Sequence, residues 1–263
     1  MKGIILKVAL LITLFFGVYL LLFQIDWMQL FQIESRKEST ETKLGELFWD
    51  FFKQNETELE SELIYDSLDS LVKVLCKYND IDRESIKLHI LEKDEINAFA
   101  LPDGHIVVFT GLIKEAESPE ALTGVLAHEI AHDQLKHVMK KLVREVGLSV
   151  LLSTATGGGG AETIKSMAKM LSSKAFDREM EKEADLEAVK YMLKAKINPE
   201  DFASFLYTLS DPHAEFSRQL AWISTHPESQ ERAKYVLDAI PYDSQFRILL
   251  HDSTWEEVKA ELH

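Results

Sequence analysis

The hydrophobic pattern along the chain changes period four times. Residues 8–23, VALLITLFFGVYLLLF, carry no charge, and the preceding GIIL extends the apolar run back across Lys7. Together they can cross the ~30 Å hydrocarbon core of a bilayer with Lys7 reaching to the interface. From about 40 to 78 the pattern is helical: Leu68, Leu71, Val72 and Leu75 form a stripe, and Asn55 with Glu58 fits a capping box. The period then drops to two, with Ile86, Leu88 and Ile90 alternating against Lys87 and His89. NAFAL (97–101) and HIVVFTG (105–111) flank Pro102-Asp103-Gly104, a turn signal between strands, so a three-stranded antiparallel sheet is expected. From Ser118-Pro119, an N-cap followed by a first-turn proline, the chain reads as helices. Gly157–Gly160 breaks them, and further helices are expected over roughly 177–194, after Asn198-Pro199, in THPESQERAKYVLDAI and in STWEEVKAEL. LSVLLSTAT is too short to span a bilayer. The fold class is α+β: a small antiparallel sheet and a helical bundle, preceded by one transmembrane helix.

This divides the chain into a membrane anchor (1–27), a juxtamembrane linker or helix (28–54) and one domain (55–263). No small-residue cleavage site follows the apolar run, so an uncleaved anchor is expected, with Trp27 at the interface. Lys2 and Lys7 lie closer to the span than Arg36 and Lys37. The amino terminus is therefore expected in the cytoplasm and the domain outside it. A net charge of −15, from 29 basic and 44 acidic residues, argues against nucleic acid as partner. The single cysteine, Cys76, excludes an internal disulfide and a cysteine metal cluster, and its apolar neighbours make it a small buried hydrophobe.

The chemistry concentrates in GVLAHEIAHDQLKH. His128 and His132, four apart on a helix, project from one face and can reach one ion. Glu129 is rotated beside that ion, where a carboxylate can deprotonate a water. Gly124, one turn before His128, would leave room above the metal. Five residues of this kind also recur by chance on helix surfaces, so HEIAH alone leaves both readings open. A catalytic zinc site takes three protein ligands. His137 lies five past His132, rotated off the face, and reads as a packing or surface residue. The helix FDREMEKEADLEAVKYM supplies a closer candidate: Glu181 as third ligand, with Asp185 one turn on to hydrogen-bond the far nitrogen of a ligand histidine. Glu179 and Glu183 read as solvated.

NAFALPDGHIVVFTGLI, GVLAHEIAH, FDREMEKEAD and THPESQER occur together and in order, and in this the chain resembles the M48 family of zinc metallopeptidases. The resemblance covers roughly residues 55–240 and implies a zincin-like metalloprotease domain with one Zn2+. It carries the metal-ligand role to His128, His132 and Glu181, the general-base role to Glu129 and the supporting carboxylate to Asp185. Asn97, Ala98, Phe99 and Ala100 match an edge strand to which a substrate peptide adds by main-chain hydrogen bonds. His226 and Arg232 match a His-Pro segment and an arginine near the zinc. His226 then either stabilises the oxyanion or occupies the open metal position, while the residues alone also allow it to cap the helix at Pro227. Phe176-Asp177-Arg178 and Pro102-Asp103-Gly104 depart from the family's usual Phe-Ser-Arg and Pro-Gly-Gly, away from any ligand.

The resemblance implies a zinc-dependent endopeptidase of proteins and peptides, single-pass in the cell membrane with a periplasmic domain in envelope protein quality control. A zinc-bearing chaperone or scaffold that does not cut, and a membrane-anchored interaction protein without metal, are the competing readings. Glu129 disfavours the first, because a binding-only site needs no base beside the metal.

Overall fold

A computed structural model describes residues 33–209, 221–227, 229–241 and 245–262. The apolar run at 8–23 and Trp27 lie outside the described residues. Among the described residues no helix is long and apolar enough to cross a membrane. Residues Glu41–His263 form one compact unit.

Two helices come first, α1 (Ile33–Asn55) and α2 (Glu62–Tyr78). Three strands follow, β1 (Lys87–Leu91), β2 (Ala98–Ala100) and β3 (His105–Phe109), then the short α3 (Thr110–Glu115) and the central α4 (Pro119–Gln134). The remaining helices are α5 (His137–Val146), α6 (Leu148–Ala155), α7 (Ala161–Ser173), α8 (Arg178–Lys194), α9 (Glu200–Leu209), α10 (Ala221–Thr225), α11 (Ser229–Asp238) and α12 (Asp252–Glu261). Mostly helical with one small sheet, the domain is α+β.

Local chemistry explains several boundaries. Ser118 caps α4, its Oγ accepting from Ala121 N at 3.0 Å, with Pro119 in the first turn. Asn198 Oδ1 accepts from Glu200 N at 3.1 Å where α9 begins. The expected cap at Asn55 is overturned. Asn55 ends α1, its amide donating to Phe51 O at 2.6 Å, and Ser61 caps α2 by accepting from Ile64 N at 3.2 Å. Glu58 accepts instead from the Tyr65 hydroxyl at 3.0 Å. The stripe Leu68, Leu71, Val72 and Leu75 is buried in the core, with Cys76, whose thiol burial pushes up to about 11.

The sheet departs from expectation. Its order is β1-β3-β2; β2 pairs antiparallel with β3, but β1 pairs with β3 in parallel, Lys87 opposite His105 and Leu91 opposite Phe109. A tight turn joins only β2 to β3. The segment after β1 passes the end of β3, where Gly111 N donates to Lys93 O and Lys93 N to Thr110 Oγ1, and so delivers β2 to the opposite edge. Alternation identifies a strand but not its neighbour. At the turn, Asp103 (φ 65) and Gly104 (φ 71) are left-handed, and a Cβ on Gly104 would lie 1.9 Å from Ser85 O. Gly124 serves packing rather than room at a metal: its missing Cβ admits Phe202 of α9, which would otherwise stand 2.3 Å away.

Helix α1 covers the β1–β3 face over a polar pair. His89 Nε2 meets His105 Nδ1 at 2.9 Å, and Trp49 of α1 stacks on His89 with centroids 3.6 Å apart. Burial, then each histidine's cationic neighbours, pulls His89 to about 3 and His105 to about 4 from an ordinary 6.5. Both are neutral when folded, so between pH 6.5 and these values the unfolded chain binds more protons, and stability falls as pH falls. Each histidine should cost about 1 kcal/mol for every pH unit below 6.5. Denaturant unfolding at pH 7 and pH 5 should therefore give a smaller loss for the His89→Gln/His105→Gln protein than for wild type. An equal loss would place the acid sensitivity elsewhere.

Candidate metal centre

The centre is built where α4 crosses α8. The face of α4 that carries His128 and His132 is completely buried, as is Glu129. From α8 come Glu181 and, one turn later, Asp185, 2 % and 0 % exposed. The segment after α10 adds His226, and α11 adds Arg232.

Ligand atoms of His128, His132, Glu181 and His226 all lie within 4.8 Å of one another. His132 Nε2 is 2.9 Å from His128 Nε2, which is 3.2 Å from His226 Nδ1. Glu181 approaches His132 Nε2 at 3.4 Å, His128 Nε2 at 3.6 Å and His226 Nδ1 at 2.9 Å. Behind the cluster, His128 Nδ1 lies 2.8 Å from Asp185 Oδ1. The contact has the distance of a pair without the alignment of a hydrogen bond; a proton on Nδ1 faces the carboxylate, which only accepts, and leaves the Nε2 lone pair toward the cluster.

Arg232 locks Asp185 in turn, Nε donating to Oδ2 at 2.8 Å and Nη2 to Oδ1 at 2.7 Å. Its Nη1 reaches Glu181 Oε2 at 2.9 Å and the His226 carbonyl at 3.0 Å. The Tyr235 hydroxyl also donates to Asp185. Glu129 Oε2 accepts from Ala100 N at 3.0 Å; its Oε1 lies 3.4 Å from the donor Trp222 Nε1 and 3.3 Å from His226 Nε2.

Glu129, Glu181 and Asp185 bring three buried carboxylates against the single guanidinium of Arg232. Burial works to raise all three, yet their cationic and imidazole partners outweigh it and hold each below its ordinary value. Burial lowers His226, but Glu181 and Glu129 overcome it and lift the imidazole to about 9. His132, by contrast, is drawn to about 3 by burial and by His128. Imidazole nitrogens and a carboxylate converging within 4.8 Å fit a divalent ion of borderline softness, such as zinc.

The profile of peptidase family M48 matches residues 65–240, more than half of the chain. The chain belongs to peptidase family M48. Among curated proteins it is 29 % identical over 157 residues to the mitochondrial metalloendopeptidase OMA1 of Schizosaccharomyces pombe, covering 59 % of this chain and 47 % of that one. It is 26 % identical over 171 residues to the metalloprotease LoiP of Escherichia coli, covering 63 % and 67 %. To the beta-barrel assembly-enhancing protease of Escherichia coli it is 24 % identical over 204 residues, covering 73 % and 42 %. The chain thus spans about half or less of the length of most of these M48 relatives.

The structure brings together His128, Glu129, His132, Glu181, Asp185, His226 and Arg232. Asn97–Ala100 lies beside them, with β2 on the sheet edge: Asn97 Nδ2 donates to Ser172 O at 3.2 Å and Ala100 N to Glu129. His226 does not cap α11 through its side chain, which points into the cluster. His137 stays out of the donor cluster, a packing residue as expected, but it packs on a ligand candidate in a way that helical spacing does not show. Helix α4 ends at Gln134, Lys136 adopts a left-handed conformation (φ 58), and the reversed chain lays buried His137 against His132, Nδ1 to Nδ1 at 3.1 Å. Counting helical turns fails because the helix has stopped. Trp222, Tyr235 and Phe176, which stacks on His132 at 4.0 Å, also shape the centre. Only Phe176 and Tyr235 lie within the quoted motif segments or beside them; nothing local marks Trp222.

Removing one partner of a fully buried ion pair strands the other charge. Asp185→Ala should leave Arg232 with Glu181 as its remaining carboxylate partner, strip it of its two-pronged pairing, and cost about 3 kcal/mol in denaturant unfolding. A cost under about 1 kcal/mol would mean that water reaches the site.

Proposed function

We propose that this M48 chain is a zinc-dependent endopeptidase. The observation that carries it is the buried Glu129 beside a convergent His128–His132–Glu181 donor set. A site built only to bind a metal has no use for a further carboxylate beside the ligands. His128, His132 and Glu181 would hold the ion, and zinc bound there supplies a Lewis acid that polarises the peptide carbonyl and acidifies a water.

Glu129 takes the proton from the attacking water and hands it to the leaving amine. Asp185 fixes the orientation of His128, and Arg232 fixes Asp185. His226 sits between Glu129 and Glu181, where it occupies the position a substrate carbonyl needs. In this closed arrangement it shields the base; turned aside, its N–H is placed to stabilise the oxyanion. The edge of β2 at Asn97, Ala98, Phe99 and Ala100 is the natural place for a peptide strand, with Ala100 N–H released by Glu129 as the strand adds. Arg232, with all of its contacts inside the protein, supports the site rather than reading substrate.

A role in envelope protein quality control is supported by the names of relatives, among them a beta-barrel assembly-enhancing protease. We infer attachment to the cell membrane by residues 8–23, with the domain on the outer, periplasmic side, from the apolar run and the lysines before it. Protein substrates follow from the peptide-binding edge.

Glu129→Gln keeps the shape of the side chain and removes its basicity. Zinc content by atomic absorption should match wild type, while hydrolysis of an unfolded protein substrate should fall by roughly 10²–10⁴. Undiminished hydrolysis in this variant would sink the assignment of Glu129 as base.

A further inference from the structure

We propose that His137 and Glu183 form a relay that sets the tautomer of His132 and thereby aims its Nε2 lone pair at the metal. His137 is 0 % exposed, its Nδ1 3.1 Å from His132 Nδ1 and its Nε2 3.1 Å from Glu183 Oε2. A neutral imidazole has one N–H and one lone pair. The Glu183 carboxylate accepts only, so the proton of His137 lies on Nε2 and its Nδ1 is an acceptor. Two acceptors cannot face each other at that distance, so His132 carries its proton on Nδ1. His132 Nε2 is then a lone pair, and it meets His128 Nε2 at 2.9 Å and Glu181 Oε1 at 3.4 Å, an all-acceptor cluster whose lone pairs a cation bound between them would take up.

The two histidines of α4 are thus held by different means. His128 is fixed directly by the buried Asp185. Among the described residues no carboxylate lies within reach of His132 Nδ1, which is fixed through a second imidazole. Phe176 closes one face of the His132 ring, leaving its orientation to the edge contact with His137. The Glu183 side chain is 58 % exposed, so solvent weakens its hold, and His137 is the stronger link of the pair. Burial draws His137 below the usual histidine range, in keeping with a neutral ring. His137 is a positioning residue: it acts on the metal only through His132.

The inference rests on the metal reading of the cluster, and zinc affinity by chelator competition on the full chain in detergent separates the two. His137→Leu should bind zinc about 10–100-fold more weakly than wild type. His137→Asn, whose side-chain oxygen takes the place of Nδ1 as acceptor, should recover most of that loss. Glu183→Ala should weaken zinc several-fold alone and add nothing in the His137→Leu background. Thermal unfolding in excess chelator checks that each metal-free variant is folded. Wild-type affinity in folded His137→Leu overturns the relay, as does His137→Asn binding no better than His137→Leu. If His137→Leu does not fold, Glu183→Ala decides, because Glu183 lies at the surface: unchanged affinity there overturns the relay. A wild-type chain that takes up no zinc would overturn the metal reading instead.

Discussion

The pairing of Asp185 with both His128 and Arg232 is the constraint on which the rest of the molecule depends. A carboxylate with no solvent contact is tolerated only if its oxygens are filled, and here an imidazole, a guanidinium and a phenol fill them. The pairing ties α4, α8 and α11 to one another at a single point. It also orients the first imidazole of the metal cluster and brings Arg232 within reach of Glu181, whose charge it steadies. Local stability and site geometry therefore share the same hydrogen bonds, so the fold cannot relax here without disturbing the donors.

Around that point the elements divide the work. Helix α4 supplies two imidazoles and the buried Glu129; α8 supplies the other carboxylates; the chain between α10 and α11 supplies the imidazole that closes the cluster. Strand β2 meets Glu129 through the Ala100 amide, and His226 Nε2 approaches the same carboxylate at 3.3 Å, so strand, carboxylate and closing histidine sit in contact. Away from the centre, α1 lies over the β1–β3 face on the His89–His105 pair, and Gly45 allows α1 to approach the turn before β3, where a Cβ would stand 2.4 Å from Pro102 O. Through that turn the first described helix abuts the β2–β3 hairpin.

Much of the fold was legible in the sequence. Amphipathic periods, Ser118-Pro119, Asn198-Pro199 and the glycine break mark helices where they stand, because caps and periodicity are local physics. Asn55 misled because the same residue types that begin a helix also follow one. The sheet misled because β1 and β2 are joined by no tight turn, and pairing across a long segment leaves no local trace. In the site, residues on one helix were legible from spacing: His128 with His132, Glu181 with Asp185. His137 is the packing residue its position suggests, but its contact with His132 was not legible because α4 ends at Gln134 and the chain turns back there.

The sequence by itself determined which residues could hold an ion and activate a water, since helical geometry places side chains four apart on one face whatever the surroundings. It also determined the family, through motifs in a fixed order. Tertiary structure alone decided which groups support that chemistry. Trp222 over His226, Arg232 and Tyr235 on Asp185, Phe176 and His137 on His132, and the Ala100 amide on Glu129 all meet across the chain or past the end of a helix. Such contacts depend on how separate elements pack, and no period or spacing along the chain encodes the direction from which a neighbour arrives.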